Sequence, residues 1–170
     1  MPERWLAGPV EGVSPELTPV AHALLNASEQ IEAAVRGLTS SEVVARPRGI
    51  ASIAFHVTHA AGSLDRLFTY ARGESLSASQ RDALDAEERA DELSIDGEGL
   101  IAVFREAVER SLAQVRATDP GILGNPREVG RAKLPSSVLG LFFHAAEHTA
   151  RHCGQIVTTA KLVRSRSAIG

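Results

Sequence analysis

Near its carboxyl end the chain reads His144-Ala-Ala-Glu-His148-Thr-Ala-Arg-His152-Cys-Gly-Gln155, with a histidine at every fourth position. An α-helix turns once in 3.6 residues, so side chains four apart lie on one face, about one turn from each other. Two neighbouring imidazoles of this set can therefore bind one metal ion. The outer pair is separated by a rise of about 12 Å, too long for both rings to bond one ion at about 2.0–2.1 Å. The spacing predicts a single chelating pair, either His144 with His148 or His148 with His152.

A third ligand must then come from another part of the chain. Three histidines with one open coordination position are typical of a catalytic zinc site, because the open position takes water or substrate. The upstream candidates are His22, His56 and His59. We interpret His22 as a partly exposed residue without a role, since no other kind of metal-ligating residue recurs near it in the sequence. His56 lies nearer the apolar centre of its predicted helix than His59, but that helix is apolar around much of its circumference, so spacing alone leaves the ligand set unresolved.

Apolar residues recur at helical spacing in four segments, and no alternating pattern predicts a strand. Residues that favour helix starts precede these segments, among them Ser14 followed by Pro15, and Asp96. The predicted helices span residues 14–38, 51–72, 97–118 and 136–163. We therefore predict an all-α fold: a four-helix bundle forming one domain over residues 1–170, with an N-terminal arm at residues 1–13 and long loops.

The segments between the predicted helices differ in charge. Residues 81–110 hold ten acidic residues against four basic ones, a composition typical of a solvated connection or an outer helical face. Residues 119–135 form a glycine- and proline-rich loop with a basic tip, but they lack the strand-to-helix setting of a phosphate-binding loop. Residues 39–50 are expected to hold a short turn of helix. We expect Trp5 to hold the N-terminal arm against the protein.

Composition excludes several classes of protein. The net charge of −3 argues against a nucleic-acid-binding protein that depends on a basic surface. No apolar run approaches the roughly 18 residues needed to cross a bilayer, so no membrane partner is expected. Cys153 is the single cysteine, which precludes an intramolecular disulfide, and the start at Met1 lacks the apolar core of a signal peptide. We predict a cytoplasmic protein.

Two motifs resemble a known family. Ser52-Ile53 is followed by His59 and by the run Ala-Ala-Gly-Ser-Leu-Asp-Arg-Leu that ends at Leu67, which is similar to the second helix of DinB-like (DNA-damage-inducible) proteins. The stretch from His148 to Gln155 resembles their last-helix signature, H-x-x-x-H-x-G-Q. The similarity extends over nearly the whole chain.

This resemblance implies an up-down-down-up four-helix bundle, often a homodimer, with a divalent metal, Zn²⁺ or Ni²⁺, held by three histidines. Carried over to this chain, the ligands are His59, His148 and His152. His56 and His144 then become core groups or partners of the ligating rings. Characterised relatives are metal-dependent S-transferases that use thiols such as bacillithiol or mycothiol, or related isomerases. The resemblance thus implies a small-molecule thiol and an electrophilic acceptor as partners, with a non-catalytic, stress-associated metal-binding protein as the alternative.

Two further hypotheses concern residues near these histidines. His144, Glu147 and His148 match the H-x-x-E-H pattern of inverted zinc peptidases, in which the glutamate is the general base. That metallohydrolase hypothesis requires an acidic ligand downstream, and no Asp or Glu follows Glu147. Cys153 is a candidate nucleophile, but a lone cysteine is more often a small buried hydrophobe, and we expect Arg151 to be an exposed residue.

Overall fold

The computed structural model describes residues 3–167, and this part of the chain is mainly α-helical. In chain order the helices are α1 (Thr18–Val35), α2 (Ser40–Val43), α3 (Ile53–Ala71), α4 (Ala78–Ala86), α5 (Gly97–Ala117) and α6 (Val138–Ser167). Turns of 3₁₀-helix lie at Arg4–Leu6, Pro47–Gly49, Glu87–Glu92 and Pro120–Ile122. The four long helices, α1, α3, α5 and α6, correspond to the four predicted apolar segments. Among these residues no helix is long and apolar enough to cross a membrane.

The hydrophobic core lies between the four long helices. Helices α1 and α3 each pack against both α5 and α6, and each of the four turns its apolar stripe inward. Burying one large aliphatic or aromatic side chain contributes about 1.5–3 kcal/mol. The largest fully buried side chains come from every long helix and from the segment before α1; they include Leu17, Leu24, Ile31, Ile53, Leu64, Leu100, Phe104, Phe142 and Ile156.

Helices α3 and α5 begin where polar side chains satisfy the first free amide groups. Ser52 Oγ accepts a hydrogen bond from the Phe55 amide at 3.0 Å at the start of α3, and Asp96 Oδ1 accepts from the Gly99 amide at 2.9 Å at the start of α5. The cap predicted at Asp96 is therefore confirmed. Helix α1 starts at Thr18, later than the predicted Ser14 cap, and follows a tight turn in which the Ser14 carbonyl accepts from the Thr18 amide.

A small β-hairpin precedes α6, so the prediction that the chain contains no strand was wrong. Strand β1 (Pro126–Val129) pairs antiparallel with β2 (Leu134–Ser137), with Val129 opposite Leu134. Each strand has four residues and contains a proline, too short and too irregular for an alternating pattern to be detected. Because Ser136, the predicted first residue of the last helix, belongs to β2, α6 begins at Val138, and Ser137 Oγ accepts from the Gly140 amide at 3.0 Å.

The N-terminal arm differs from the prediction in its anchor. Trp5 is 66% exposed, so it does not hold the arm against the protein, and its indole nitrogen donates to Glu3 instead. Val10 and Val13 pack against the core in its place. Val10 and Val13 thus hold the arm against the core, and Trp5 lies farther out. The first two residues of the predicted arm, Met1 and Pro2, lie outside the described residues.

The acidic connection between α3 and α5 is docked along α3, which corrects the interpretation of this run as a solvated segment. Its outer acids are exposed as expected, but three of its side chains bind α3 or the residue that caps it. Gln80 Nε2 donates to Asp65 and Thr69 at 2.7 and 2.8 Å, and Asp91 accepts a hydrogen bond from the Ser52 hydroxyl. Glu87 is only 3% exposed and pairs with Arg66. The connection therefore contributes a buried carboxylate beside the second half of α3.

Candidate metal centre

The packing of α3 on α6 brings His59, His148 and His152 together. One ring nitrogen from each lies within 4.8 Å of the other two. The Nε2 atoms of His59 and His148 are 3.4 Å apart although the residues are 89 positions apart in the chain. Ring centroids are separated by 5.1 Å for His59 and His148, 4.8 Å for His59 and His152, and 4.5 Å for His148 and His152. Three imidazoles thus converge on one small volume between two helices.

The second nitrogens of two of these rings are held by other side chains. His59 Nδ1 lies 2.7 Å from Glu87 Oε2, and His152 Nδ1 lies 3.1 Å from His56 Nδ1. Both contacts use Nδ1, and on the other side of its ring His59 Nε2 lies 3.4 Å from His148 Nε2 and 3.5 Å from the Ser63 hydroxyl. The Nδ1 atom of His148 is buried and has no hydrogen-bond partner among the described residues. Outer partners of this kind orient ligating histidines and fix which ring nitrogen carries hydrogen.

The environment keeps the two α6 imidazoles uncharged at neutral pH. Burial, reinforced by the neighbouring histidines and by Arg151, lowers the pKa of His148 and of His152 to about 4. Burial and the proximity of His59 likewise lower the pKa of His56. An unprotonated imidazole offers the lone pair that a metal ion requires. The site therefore presents donor atoms rather than positive charges.

Glu87 has the opposite character, because it is a buried group that stays ionised. Burial acts to raise its pKa, but hydrogen bonds from His59 and Arg66 outweigh that effect and hold the pKa of this carboxyl below its ordinary value. The Arg66 guanidinium is itself 9% exposed. A charged carboxylate thus lies behind one of the three imidazoles and is neutralised by a buried arginine.

This donor set fits a divalent cation. Three imidazole nitrogens, part-buried and supplied by two helices, form the arrangement that proteins use for Zn²⁺ and for other ions with a similar ligand preference. The contacts of His59 with Glu87 and of His152 with His56 use the Nδ1 atoms and can persist beside a metal, which would displace only the longer contacts of His59 Nε2 with His148 and with the Ser63 hydroxyl. The His59, His148 and His152 side chains could therefore hold one metal ion.

Comparison with known protein families assigns the chain to a family. The family model of the DinB superfamily matches residues 23–156, a range that includes His59, His148 and His152. The chain belongs to the DinB superfamily. The sequence has no significant match among curated proteins.

A solved structure is similar to the fold of this DinB superfamily member. The crystal structure of a conserved protein from Enterococcus faecalis superposes with a TM-score of 0.71, at 19% sequence identity, over 88% of this chain and 97% of the other. At this identity the likeness concerns the fold alone, and it supports the mainly helical architecture.

A cavity of about 480 Å³ opens beside His59 in this DinB superfamily member. Phe55, which stacks on the His59 ring at a centroid distance of 5.6 Å, lines one part of it. The remaining lining residues come from α4 and the turn after it: Leu84, Asp85, Glu87 and Glu88. The docked acidic connection therefore forms one wall of an open space next to the histidines.

The other candidate residues are not members of the three-histidine group, although the His144 ring lies 5.7 Å from the His148 ring between centroids. The His144 side chain is 52% exposed and approaches Glu147, whose carboxylate also pairs with Arg151. The metal group found among the described residues does not include His144, so the inverted-peptidase hypothesis gains no support. Cys153 is 4% exposed, and burial raises its pKa to about 11, as expected for a small buried hydrophobe. Arg151 is exposed, as predicted.

Two residues of the site, Glu87 and Arg66, were missed from sequence, and the exposure of His22, which lies elsewhere, was misjudged. Glu87 and Arg66 carried no signal, because a glutamate within an acidic run and an arginine on a helix are both normally solvated. The resemblance to the family placed His56 among the core groups or outer partners, and its contact with His152 agrees with that role. His22 is 5% exposed rather than partly exposed, and it lies beside the N-terminal arm, away from the site.

Proposed function

We propose that this protein binds one divalent metal ion through His59, His148 and His152 and uses it to activate a small-molecule thiol for transfer to an electrophile. The observation that carries the proposal is the convergence of the three imidazoles, with ligand nitrogens within 4.8 Å of one another. Membership of the DinB superfamily supports it. We propose Zn²⁺ or Ni²⁺ as the ion, because imidazole nitrogens suit both.

The chemistry follows from the charge of the ligand set. Three neutral imidazoles would leave the full positive charge on a bound divalent ion, which would favour an anion such as a thiolate at the open position and lower the pKa of the thiol. The thiol proton would pass to solvent, and the sulfur would form a bond to an electrophilic carbon as the bond from that carbon to a leaving group breaks; the leaving group would depart with the electron pair and take up a proton from solvent. The protein's own part is to hold the rings, to limit water with the apolar flanks of α3 and α6, and to admit the acceptor beside His59.

The proposal extends to the wider organisation that the resemblance implies. We propose that the four long helices form an up-down-down-up bundle in one domain, that two copies form a homodimer, and that the protein acts in the cytoplasm without a nucleic-acid or membrane partner. The supporting observation for the bundle is that α1 and α3 each pack against α5 and α6.

A non-catalytic metal-binding role is the second candidate, and one observation favours it. The cavity beside His59 is lined by Asp85 and Glu88, two exposed acids that would repel an anionic thiol or acceptor. Under this alternative the ion would be bound without turnover, in a stress-associated protein.

Metal content of the purified protein tests the proposal first. Wild type should carry about one equivalent of Zn²⁺ or Ni²⁺ per chain, and His148→Ala should lose most of it because only two imidazoles remain. The matched control is His144→Ala on the same helix, whose side chain is exposed and should leave the loading unchanged. Equal loading of wild type and His148→Ala would remove the site assignment.

Turnover then separates the two candidate functions. The metal-loaded protein should conjugate at least one low-molecular-weight thiol from a panel that includes bacillithiol and mycothiol to an electrophilic acceptor, and the metal-free protein should not. Metal binding without conjugation across the panel would favour the non-catalytic role.

A further inference from the structure

The acidic connection supplies a buried carboxylate to the ring nitrogen of His59 that faces away from the site. Glu87 Oε2 lies 2.7 Å from His59 Nδ1, and the Glu87 side chain is only 4% exposed. Both carboxylate oxygens of Glu87 face the Arg66 guanidinium, which can only donate hydrogen bonds. Glu87 Oε2 therefore acts as the acceptor and His59 Nδ1 as the donor, and the other ring nitrogen, Nε2, faces His148.

The carboxylate is itself held in a fixed orientation. Arg66 donates from Nη1 to Glu87 Oε1, and its Nη2 lies 3.4 Å from Glu87 Oε2 and 3.2 Å from the Ser63 hydroxyl. Planar guanidinium and carboxylate groups pair with a defined geometry, and this pair is buried, so water does not compete for it. Arg66 thus fixes the oxygen that reaches His59.

Gly62 makes the approach of Glu87 to α3 possible. A Cβ atom at this position would lie 2.3 Å from Glu87 Oε1 and 2.7 Å from Arg66 Nη1, distances that force the pair to move. The glycine sits inside α3, where it costs helix stability relative to alanine. A glycine is found here because the Glu87 carboxylate occupies the space that a side chain at position 62 would need.

We propose that Glu87 is a positioning residue for the metal centre: held by Arg66 in the space left by Gly62, it fixes His59 as the Nδ1–H tautomer with Nε2 directed at the ion. The effect on metal binding rests on the proposed function, but the contact between Glu87 and His59 is itself an observation of the structure. Carboxylate partners of this kind contribute about 10–100-fold to metal affinity.

The test compares Glu87→Gln with Glu92→Gln, an exposed acid in the same connection. Zn²⁺ affinity is measured by competition with a chelator, and the tautomer of His59 by ¹⁵N NMR of the metal-free protein. Glu87→Gln should raise the Kd for Zn²⁺ at least about tenfold and should reduce the Nδ1–H population of His59. Glu92→Gln should change the Kd by less than about twofold. A Glu87→Gln Kd within about twofold of wild type, or a wild-type His59 in the Nε2–H form, would overturn the proposal.

The Kd for Zn²⁺ and the His59 tautomer test the role of Glu87 separately from the proposed metal-binding function. If wild type binds no metal, the metal function fails, and the His59 tautomer in wild type and in Glu87→Gln alone decides the role of Glu87. If Glu87→Gln does not fold, Gly62→Ala takes its place, because it leaves Glu87 and Arg66 in the sequence but displaces their pair. Gly62→Ala should show the same loss of the Nδ1–H tautomer, and retention of that tautomer would overturn the proposal.

Discussion

His152 is connected to the core by one nitrogen and to the site by the other. Its Nδ1 atom lies 3.1 Å from His56 Nδ1, and His56 is 7% exposed. One ring must donate this hydrogen bond and the other must accept it, which constrains the orientation of the His152 ring. His56 thereby acts on the centre without joining the three-histidine group.

Replacing His56 with alanine should weaken metal binding through this contact. We expect His56→Ala to raise the Kd for Zn²⁺ about tenfold, because His152 loses the partner that orients it. His152→Ala should have a much larger effect. Competition with a chelator measures the Kd of both variants. His144→Ala is the control, because it removes an exposed imidazole from α6, the helix that carries His152. A Kd unchanged in His56→Ala would show that the His56 contact does not orient the ligand.

Cys153 follows His152 directly but faces the interior. Its thiol is buried near the Ala27 carbonyl at 3.9 Å, and burial raises its pKa to about 11. Because the thiolate is the reactive form of cysteine, alkylation of the folded protein by iodoacetamide should be at least about tenfold slower than alkylation in denaturant. Cys153→Ala should retain the metal content of wild type. Rapid alkylation of the folded protein, or loss of metal in this variant, would contradict the assignment of Cys153 as a core residue.

The choice between His56 and His59 shows what sequence can predict at the level of single residues. The four-residue spacing correctly predicted that His148 and His152 share a face of one helix. It could not choose the third partner, because both histidines of α3 lie near the interface and their roles depend on the rotation of α3 against α6. In the structure His59 reaches the pair through Nε2 whereas His56 lies deeper behind His152. Only the family resemblance made that choice in advance.

Helix α5 starts in close contact with the end of α1. The Gly97 amide donates to the Leu38 carbonyl at 2.9 Å, and a Cβ atom on Gly97 would lie 2.2 Å from the Val35 carbonyl oxygen. Both neighbours are backbone atoms, which cannot move aside as the end of a side chain can. The junction between these two helices therefore requires a residue without a side chain.

Gly97→Ala should destabilise the protein by about 1–3 kcal/mol, because the added methyl group overpacks this junction. The control is Gly154→Ala in α6, where nothing lies within 4 Å of the added atom. That change should be neutral or should stabilise the helix by up to about 1 kcal/mol. Urea unfolding of both variants measures the difference. Equal stability of Gly97→Ala and wild type would show that the close approach of the two helices is readily relieved.

The elements differ in how well their sequence predicts them. The long helices were predictable because their apolar stripes extend over several turns and residues such as Asp96 mark their starts. The hairpin was missed because two four-residue strands bury little and contain prolines. The acidic connection was misjudged because a run of charged residues predicts exposure to solvent. Glu87 is buried instead, because it pairs with Arg66, a residue 21 positions away. Contacts of that kind depend on the tertiary fold and leave no local pattern.

The proposed metal site links α3 to α6, so metal binding should stabilise the whole folded chain. A ligand that binds only the folded state contributes about 2.7 kcal/mol at a hundredfold excess over its Kd. For a protein of this size that corresponds to an increase in Tm of about 5–10 °C. Thermal unfolding of metal-free protein with and without Zn²⁺ measures the increase, and His148→Ala should show little of it. An identical Tm with and without Zn²⁺ would contradict a site built between these helices.

An X-ray absorption spectrum of the Zn²⁺-loaded protein tests the proposed centre most directly. It should show three imidazole nitrogens at about 2.0–2.1 Å, completed by a light atom from solvent or buffer, and no sulfur at about 2.3 Å in the absence of added thiol. Fewer than three imidazoles, or a sulfur ligand from Cys153, would contradict a cation held by His59, His148 and His152.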